Sequence, residues 1–233
     1  MAELGLYRGM FDQNSIADLS EAELVEQLLA DPNWRSRIIG QKGIRRDVLA
    51  FTRLSLTSVP GDYKGDIDVL LYPPTRPHGA VAIEVKRIKV GIRALRDGRP
   101  NKLGELEEGI RQSNLLATIG FSQVYFYVFV AVDSREKTLT APDSWAGPSQ
   151  ELRQLLHNKI SVAGLQQRVG MFKHQFVQPL DHRPLGTGSY VGELVRLSGI
   201  ARQPPELTSW VAETTKALKP VQPHSILRRA ERF

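Results

Sequence analysis

GDIDVLLY at residues 65–72 and AVAIEVKRI at residues 80–88 decide how this chain is read. Side chains two apart on a strand point the same way. In the first stretch this places Asp66 and Asp68 on one face, with Ile67, Val69 and Leu71 on the other. In the second, Glu84 and Lys86 share a face with Ala82, opposite Val81, Ile83 and Val85. The intervening YPPTRPHG is rich in turn formers, which predicts adjacent hairpin strands over 66–72 and 80–88. If they pair, Asp68, Glu84 and Lys86 converge on one patch. A Glu-x-Lys tripeptide alone arises by chance on any solvated strand. Here five of the residues from Ala80 to Val85 are apolar, an unusual setting for a charged pair.

N-terminal to these stretches, Ser20-Glu21-Ala22-Glu23 is a capping-box pattern followed by Leu24, Leu28 and Leu29, predicting a helix from about Ser20 to Ala30, closed by Asp31-Pro32. A second helix is predicted at Ile44 to Phe51, then a strand in which Leu54, Leu56 and Val59 face one way, ending at Pro60-Gly61-Asp62. Beyond the hairpin, Leu103 to Ile119 has the spacing of a helix, and Val124 to Val132 (VYFYVFVAV) is the continuous apolar run of a strand buried on both faces. Residues 44 to 132 therefore spell α-β-β-β-α-β. Farther on, 150–157 and 164–169 read as helical, Phe172 to Val177 alternates as a strand, GTGSY is a turn, and 205–218 holds an amphipathic helix. The expected organisation is an N-terminal helical region (1–43), a core (44–132) and a C-terminal elaboration packed on it (133–233), with a basic, mobile tail from 219.

The chain has 233 residues, 41% hydrophobic and 24% charged, which excludes disordered and collagen-like classes. With no Cys, thiolate metal centres, cysteine nucleophiles and disulfides are excluded, so any site chemistry rests on oxygen and nitrogen. No signal-peptide pattern or membrane-length apolar run is present, and the expectation is a cytoplasmic protein without a membrane partner. The net charge of +6 is carried entirely by the segment Lys86 to Lys102 (Lys86, Arg87, Lys89, Arg93, Arg96, Arg99 and Lys102 against Asp97), while the first 31 residues are strongly acidic. Charge runs usually form solvated faces. Because this one begins at the Glu-x-Lys lysine, it is read instead as a surface that tracks a phosphate backbone.

Two carboxylates held together need a counter-charge. All-oxygen ligation suits Mg²⁺ or Mn²⁺, which bind through one or two carboxylates plus substrate phosphate. Lys86 is then placed to orient or help deprotonate a water. In outline this is a phosphodiester hydrolase.

GDIDVLL, a hairpin turn and AIEVK, set in the order α-β-β-β-α-β, resemble the PD-(D/E)xK nuclease superfamily, whose restriction-endonuclease-like fold is an α/β (α+β) core with a mixed central sheet flanked by helices. The resemblance covers some 80 to 90 residues. It implies that Asp68 is the motif aspartate, Glu84 the second carboxylate and Lys86 the motif lysine, with the metal held by Asp68, Glu84 and the Val85 carbonyl, and Asp66 as a fallback. Ile67 stands where the motif name has Pro. Some branches add a helical Gln followed four residues later by Tyr; here Gln112 precedes Leu116, leaving Gln112 as an auxiliary contact. Others carry a Glu on the first helix, for which Glu23 or Glu26 would serve. The implied activity is Mg²⁺-dependent cleavage of nucleic acid, DNA ahead of RNA, in restriction, anti-phage defence or repair. Arg87, Lys89, Arg93, Arg96, Arg99 and Lys102 would grip the backbone. A homodimer or larger oligomer, and an activating partner or second messenger, fit the same resemblance. The competing reading is a catalytically inactive nuclease-fold module that binds nucleic acid or scaffolds a complex.

The five His residues lack metal-ligand spacing, Gly186-Thr187-Gly188 lacks the ending of a phosphate loop, and Tyr125, Phe126, Tyr127 and Phe129 lie in the apolar strand, where packing is expected rather than base stacking.

Overall fold

The computed structural model describes residues 2–7, 18–40, 44, 47–61, 63–91, 104–133, 160–178 and 188–223. Its elements, in chain order, are β1 (Ala2–Tyr7), α1 (Glu21–Ala30), α2 (Pro32–Ile39), β2 (Leu49–Ser55), β3 (Asp66–Tyr72), β4 (Val81–Gly91), α3 (Gly104–Ile119), β5 (Gln123–Asp133), β6 (Val169–Gln178), β7 (Gly188–Arg196) and α4 (Pro205–Ala217). The strands form one mixed sheet in the order β1-β7-β6-β5-β4-β3-β2. The central three, β4, β5 and β6, are parallel, and the pairs on either side are antiparallel. The protein is thus α+β, a mixed sheet with helices against both faces.

Strand alternation feeds two cores. Val81, Ile83, Val85, Tyr125, Tyr127, Phe129 and Phe172 pack against α1 and α2, through Leu24, Leu28, Trp34 and Ile38. Ala82, Ile88, Phe126, Val128, Val130 and Met171 face the other way, against α3 and α4, through Leu106, Leu116, Leu207 and Trp210. The apolar run in β5 serves both layers, and its aromatic residues are all buried. No helix among the described residues is long and apolar enough to cross a membrane.

α1 starts as its capping box dictates. The Ser20 side chain accepts the Glu23 amide, and the Glu23 carboxylate accepts the Ser20 amide at 2.8 Å. Asp31-Pro32, expected only to close α1, also opens α2. The Asp31 carboxylate accepts the Trp34 amide at 3.1 Å, and Pro32 takes the first helical position, where its missing N–H costs nothing.

Four expectations are corrected. The N-terminal region expected to be helical over 1–43 opens with a strand, since Ala2–Tyr7 finds its backbone partners on β7 as an antiparallel edge of the sheet. The helix expected at 44–51 is absent, and β2 begins at Leu49. Ile44 and Val48 serve one core and Phe51 the other, so their helix-like spacing does not describe one buried face. Residues 164–169 turn rather than form a helix. Gly164 sits at φ +81°, and the side chain of Asn114 on α3 donates to the Gly164 carbonyl at 2.7 Å and accepts the Gln166 amide at 2.8 Å. The tail expected to be mobile from 219 is docked at its start: the Val221 amide donates to the Ala50 carbonyl at 2.8 Å, and the Val221 carbonyl accepts Arg35 Nη1 at 2.8 Å. The expected helix at 150–157 lies outside the described residues, whereas the one within 205–218 is α4. Beyond Asp133, β6 and β7 continue the sheet begun by the hairpin strands.

A candidate active site in the fork between two strands

β3 and β4 pair only through Val69↔Ile83, Leu70↔Ala82 and Leu71↔Val81. Continuing that register would set Asp68 opposite Glu84 and Ile67 opposite Val85. The strands separate first, while β3 stays paired to β2 as far as Ser55↔Asp66 and β4 stays paired to β5 through Gly91↔Asp133. The amides of Val85 and Arg87 therefore leave β4 into a fork with no backbone partner on β3, and each must be satisfied another way. Asp68 Oδ2 accepts the Val85 amide at 2.7 Å, and Glu21 Oε2, at the first position of α1, accepts the Arg87 amide at 2.6 Å. Two carboxylates take the place of a strand ladder.

Asp68 reaches that amide because alternation breaks at its own position. Sequence spacing put Ile67, Val69 and Leu71 on one face; in the structure Ile67 joins Leu70 in the α3–α4 core, while Val69 and Leu71 face α1 and α2. β2 switches faces at the same level, with Phe51 and Leu54 in one core although three residues apart. Between the paired positions Thr52↔Val69 and Leu54↔Ile67 stand Arg53 and Asp68. Arg53 has φ +57°, the left-handed region, which costs an L-residue about 1–2 kcal/mol. The expected common face for Asp66 and Asp68 is thus corrected. Asp68 points along the sheet into the fork, and Asp66 is exposed at the strand's start.

Glu84 and Lys86 do share a face, that of Ala82 and Ile88, under α3. Lys86 Nζ contacts Glu84 Oε1 at 2.6 Å and lies 3.8 Å from Glu21 Oε1. α3 comes close enough to cover this pair because residue 109 is Gly: a Cβ there would stand 2.5 Å from Phe126 Cε2 and 2.7 Å from Lys86 Cγ. The lysine stem is clamped between helix and sheet, leaving its ammonium between two carboxylates.

Burial dominates the electrostatics. Glu84 is 1% exposed; burial first, then the Asp68 charge, push its carboxyl up to about 9 against the pull of Lys86. Burial likewise raises Asp68 to about 6, opposed by the Val85 amide and by Lys86. Burial pulls Lys86 down more than any single neighbour pushes it up, but the Glu84 charge and hydrogen bond, with Glu21 and Asp68, together outweigh it and leave the ammonium raised. These shifts oppose each other across one contact, since a neutral Glu84 deprives Lys86 of its nearest counter-charge. The upward push on Glu84 is the direction its depth supports. A second positive charge in the fork would restore both carboxylates to their ionised forms.

The residues present fit a divalent cation in that role. Asp68 and Glu84 supply two oxygen donors of the hard type that Mg²⁺ and Mn²⁺ favour, and burial, the main cause of both raised pKa values, removes the solvent that would otherwise support their ionised forms. Val85 adds a third donor, because a strand residue's amide and carbonyl leave on the same side, here toward the fork. No cluster of three or more His, Asp and Glu forms a ready cage among the described residues; Mg²⁺, which keeps waters and takes phosphate oxygens, does not require one.

Of the other residues singled out by sequence, Glu26 is exposed and paired with Arg53 at 3.0 Å, and Glu23 is used by the helix cap. Neither enters the fork. The helix-borne carboxylate that does is Glu21, and the capping box already marked it as the helix's first residue. Gln112 lies on the Gly109 side of α3, one turn on, and its buried amide oxygen has no hydrogen-bond partner among the described residues. Arg87 and Lys89 are half-buried on β4, with Lys89 3.6 Å from Asp18. Arg93, Arg96, Arg99 and Lys102 lie outside the described residues. No family model matches this chain, and no curated protein or solved structure matches it either.

Proposed function

We propose that this protein is a Mg²⁺- or Mn²⁺-dependent nuclease with a restriction-endonuclease-like core, hydrolysing phosphodiester bonds in nucleic acid, DNA ahead of RNA. The observation that carries the reading is the fork itself. Asp68, Glu84 and Lys86 meet where β3 and β4 separate, on strand residues rather than loops. Charged groups this buried are costly to a fold and are retained where chemistry needs them.

When bound, the metal would offset charge developing on the scissile phosphate. Asp68 and Glu84 would hold it, with the Val85 carbonyl at the same edge. Lys86, its stem fixed under Gly109, would orient the attacking water through an ammonium already set between Glu84 and Glu21. Arg87 and Lys89, on the continuation of β4, begin the basic segment that would follow the phosphate backbone away from the site.

The test is incubation of the purified chain with plasmid, linear duplex, single-stranded DNA and RNA, in Mg²⁺, in Mn²⁺ and in EDTA. The expected result is cleavage with metal only, lost in Lys86→Ala. Equal product from wild type and Lys86→Ala would refute the catalytic assignment. Salt-sensitive binding without cleavage in either metal would indicate a binding module on the same fold.

A further inference from the structure

The left-handed backbone at Arg53 is unusual for its residue type, and it stands opposite Asp68 between two paired positions. Such outliers persist where the surrounding structure holds them in place, and they gather at functional sites. At this level both strands change faces: Phe51 and Leu54 share one core, and so do Ile67 and Leu70. A regular β2 would keep its alternation and, through its pairing with β3, return Asp68 to a sheet face. Its carboxylate would then lose the Val85 amide, 17 residues away along the chain and 2.7 Å away in space.

Resting on the nuclease reading, we propose that residue 53 is a positioning residue for Asp68. Its left-handed conformation, not its guanidinium, makes the paired kink that turns Asp68 edge-on into the fork. The ion pair to Glu26 joins two side chains that are each about half exposed, and a pair of that kind contributes little. Gly, which adopts positive φ without a steric penalty, should therefore replace Arg53 without loss, whereas a β-branched residue should not.

Hydrogen exchange at the Val85 amide provides a readout independent of catalysis, because its acceptor is the Asp68 side chain. Ile83, within the paired part of β3 and β4, and Val128, in mid-sheet, serve as references. Arg53→Gly is expected to keep Val85 protected. Arg53→Val is expected to speed Val85 exchange on the order of tenfold relative to both references. Arg53→Ala bears the same left-handed penalty as Arg and lacks only the guanidinium, so it should keep Val85 protected, while Arg53→Thr, β-branched like Val, keeps the test decisive if the Val variant does not fold. In cleavage assays the same order is expected, with a raised metal requirement in the Thr and Val variants and wild-type behaviour in the Gly and Ala variants. The inference is overturned if Val85 and the references speed up together, if none responds, or if Arg53→Gly behaves like Arg53→Val. Should Val85 respond as described while wild type cleaves no substrate, the positioning role stands and the nuclease reading falls.

Discussion

Glu21 Oε2 and the backbone amide of Arg87 stand 2.6 Å apart, joining the first residue of a helix to the middle of a strand 66 positions later. The same carboxylate places its other oxygen 3.8 Å from Lys86 Nζ. Glu21 thus satisfies an amide that the divergence of β3 leaves without a ladder partner, and adds negative charge beside the lysine proposed to orient water.

Glu21→Gln keeps an acceptor for the Arg87 amide and removes the charge. It is expected to lower the cleavage rate about 10- to 100-fold at saturating Mg²⁺ with little change in melting temperature. Glu26→Gln, on the same helix but outside the fork, is expected to leave the rate unchanged. Steady-state cleavage of a labelled oligonucleotide measures both.

The contact of α3 with the sheet depends on the absence of a side chain at residue 109. In Gly109→Ala the new methyl would meet Phe126 and the Lys86 stem well inside van der Waals contact, and an aromatic ring in a packed core has little room to yield. Overpacking of this kind is expected to cost about 1–3 kcal/mol, read by denaturant titration, and to lower activity by shifting Lys86.

Raised carboxyl pKa values give the metal-free protein a defined pH dependence. A carboxyl whose pKa is higher folded than unfolded binds more protons in the native state, so its favourable contribution is complete below the unfolded pKa and is lost as pH rises through the folded one. For Asp68 that window runs from about 3.8 to about 6, and for Glu84 from about 4.5 to about 9. Thermal melts without metal should therefore show stability falling from mildly acidic to mildly alkaline pH. Added Mg²⁺ should stabilise progressively more over the same range as protons leave. Asp68→Asn, which still accepts the Val85 amide, is expected to flatten the acidic part of the slope and abolish cleavage.

Arg35 holds the chain beyond α4 against the first half of the molecule, donating to the carbonyls of Leu29, Val48 and Val221. Arg35→Ala leaves these acceptors without their donor and should destabilise by about 1–3 kcal/mol. Faster exchange at the Val221 amide, which bonds Ala50 at the edge of β2, would accompany it. The residues proposed to carry catalysis are untouched, so the rate per folded molecule should not change.

Much of the central architecture was legible from local patterns. Ser20 and Glu23 carry the start of α1 in a four-residue capping signal, β3 and β4 are flagged by apolar alternation around a turn-rich link, and β5 by its unbroken apolar run. These signals act between near neighbours in the chain, where side-chain period and backbone propensity are decided. The start of β2 misled because Ile44, Val48 and Phe51 are helically spaced yet divided between two cores, a division visible only once both layers exist.

The site divides along the same line. Residue order alone shows which groups carry charge on otherwise apolar strands, and so marks out Asp68, Glu84 and Lys86, because an isolated charge in an apolar strand is costly wherever the strand is placed. The packed sheet is needed to turn Asp68 edge-on into a fork, to bring Glu21 rather than Glu23 or Glu26 to it, and to let α3 close over Lys86 at Gly109. Each of these depends on where two strands part and which amides are left exposed there. A divergence between β3 and β4, and a kink shared by Arg53 and Asp68, are properties of paired strands, and neither strand holds them alone.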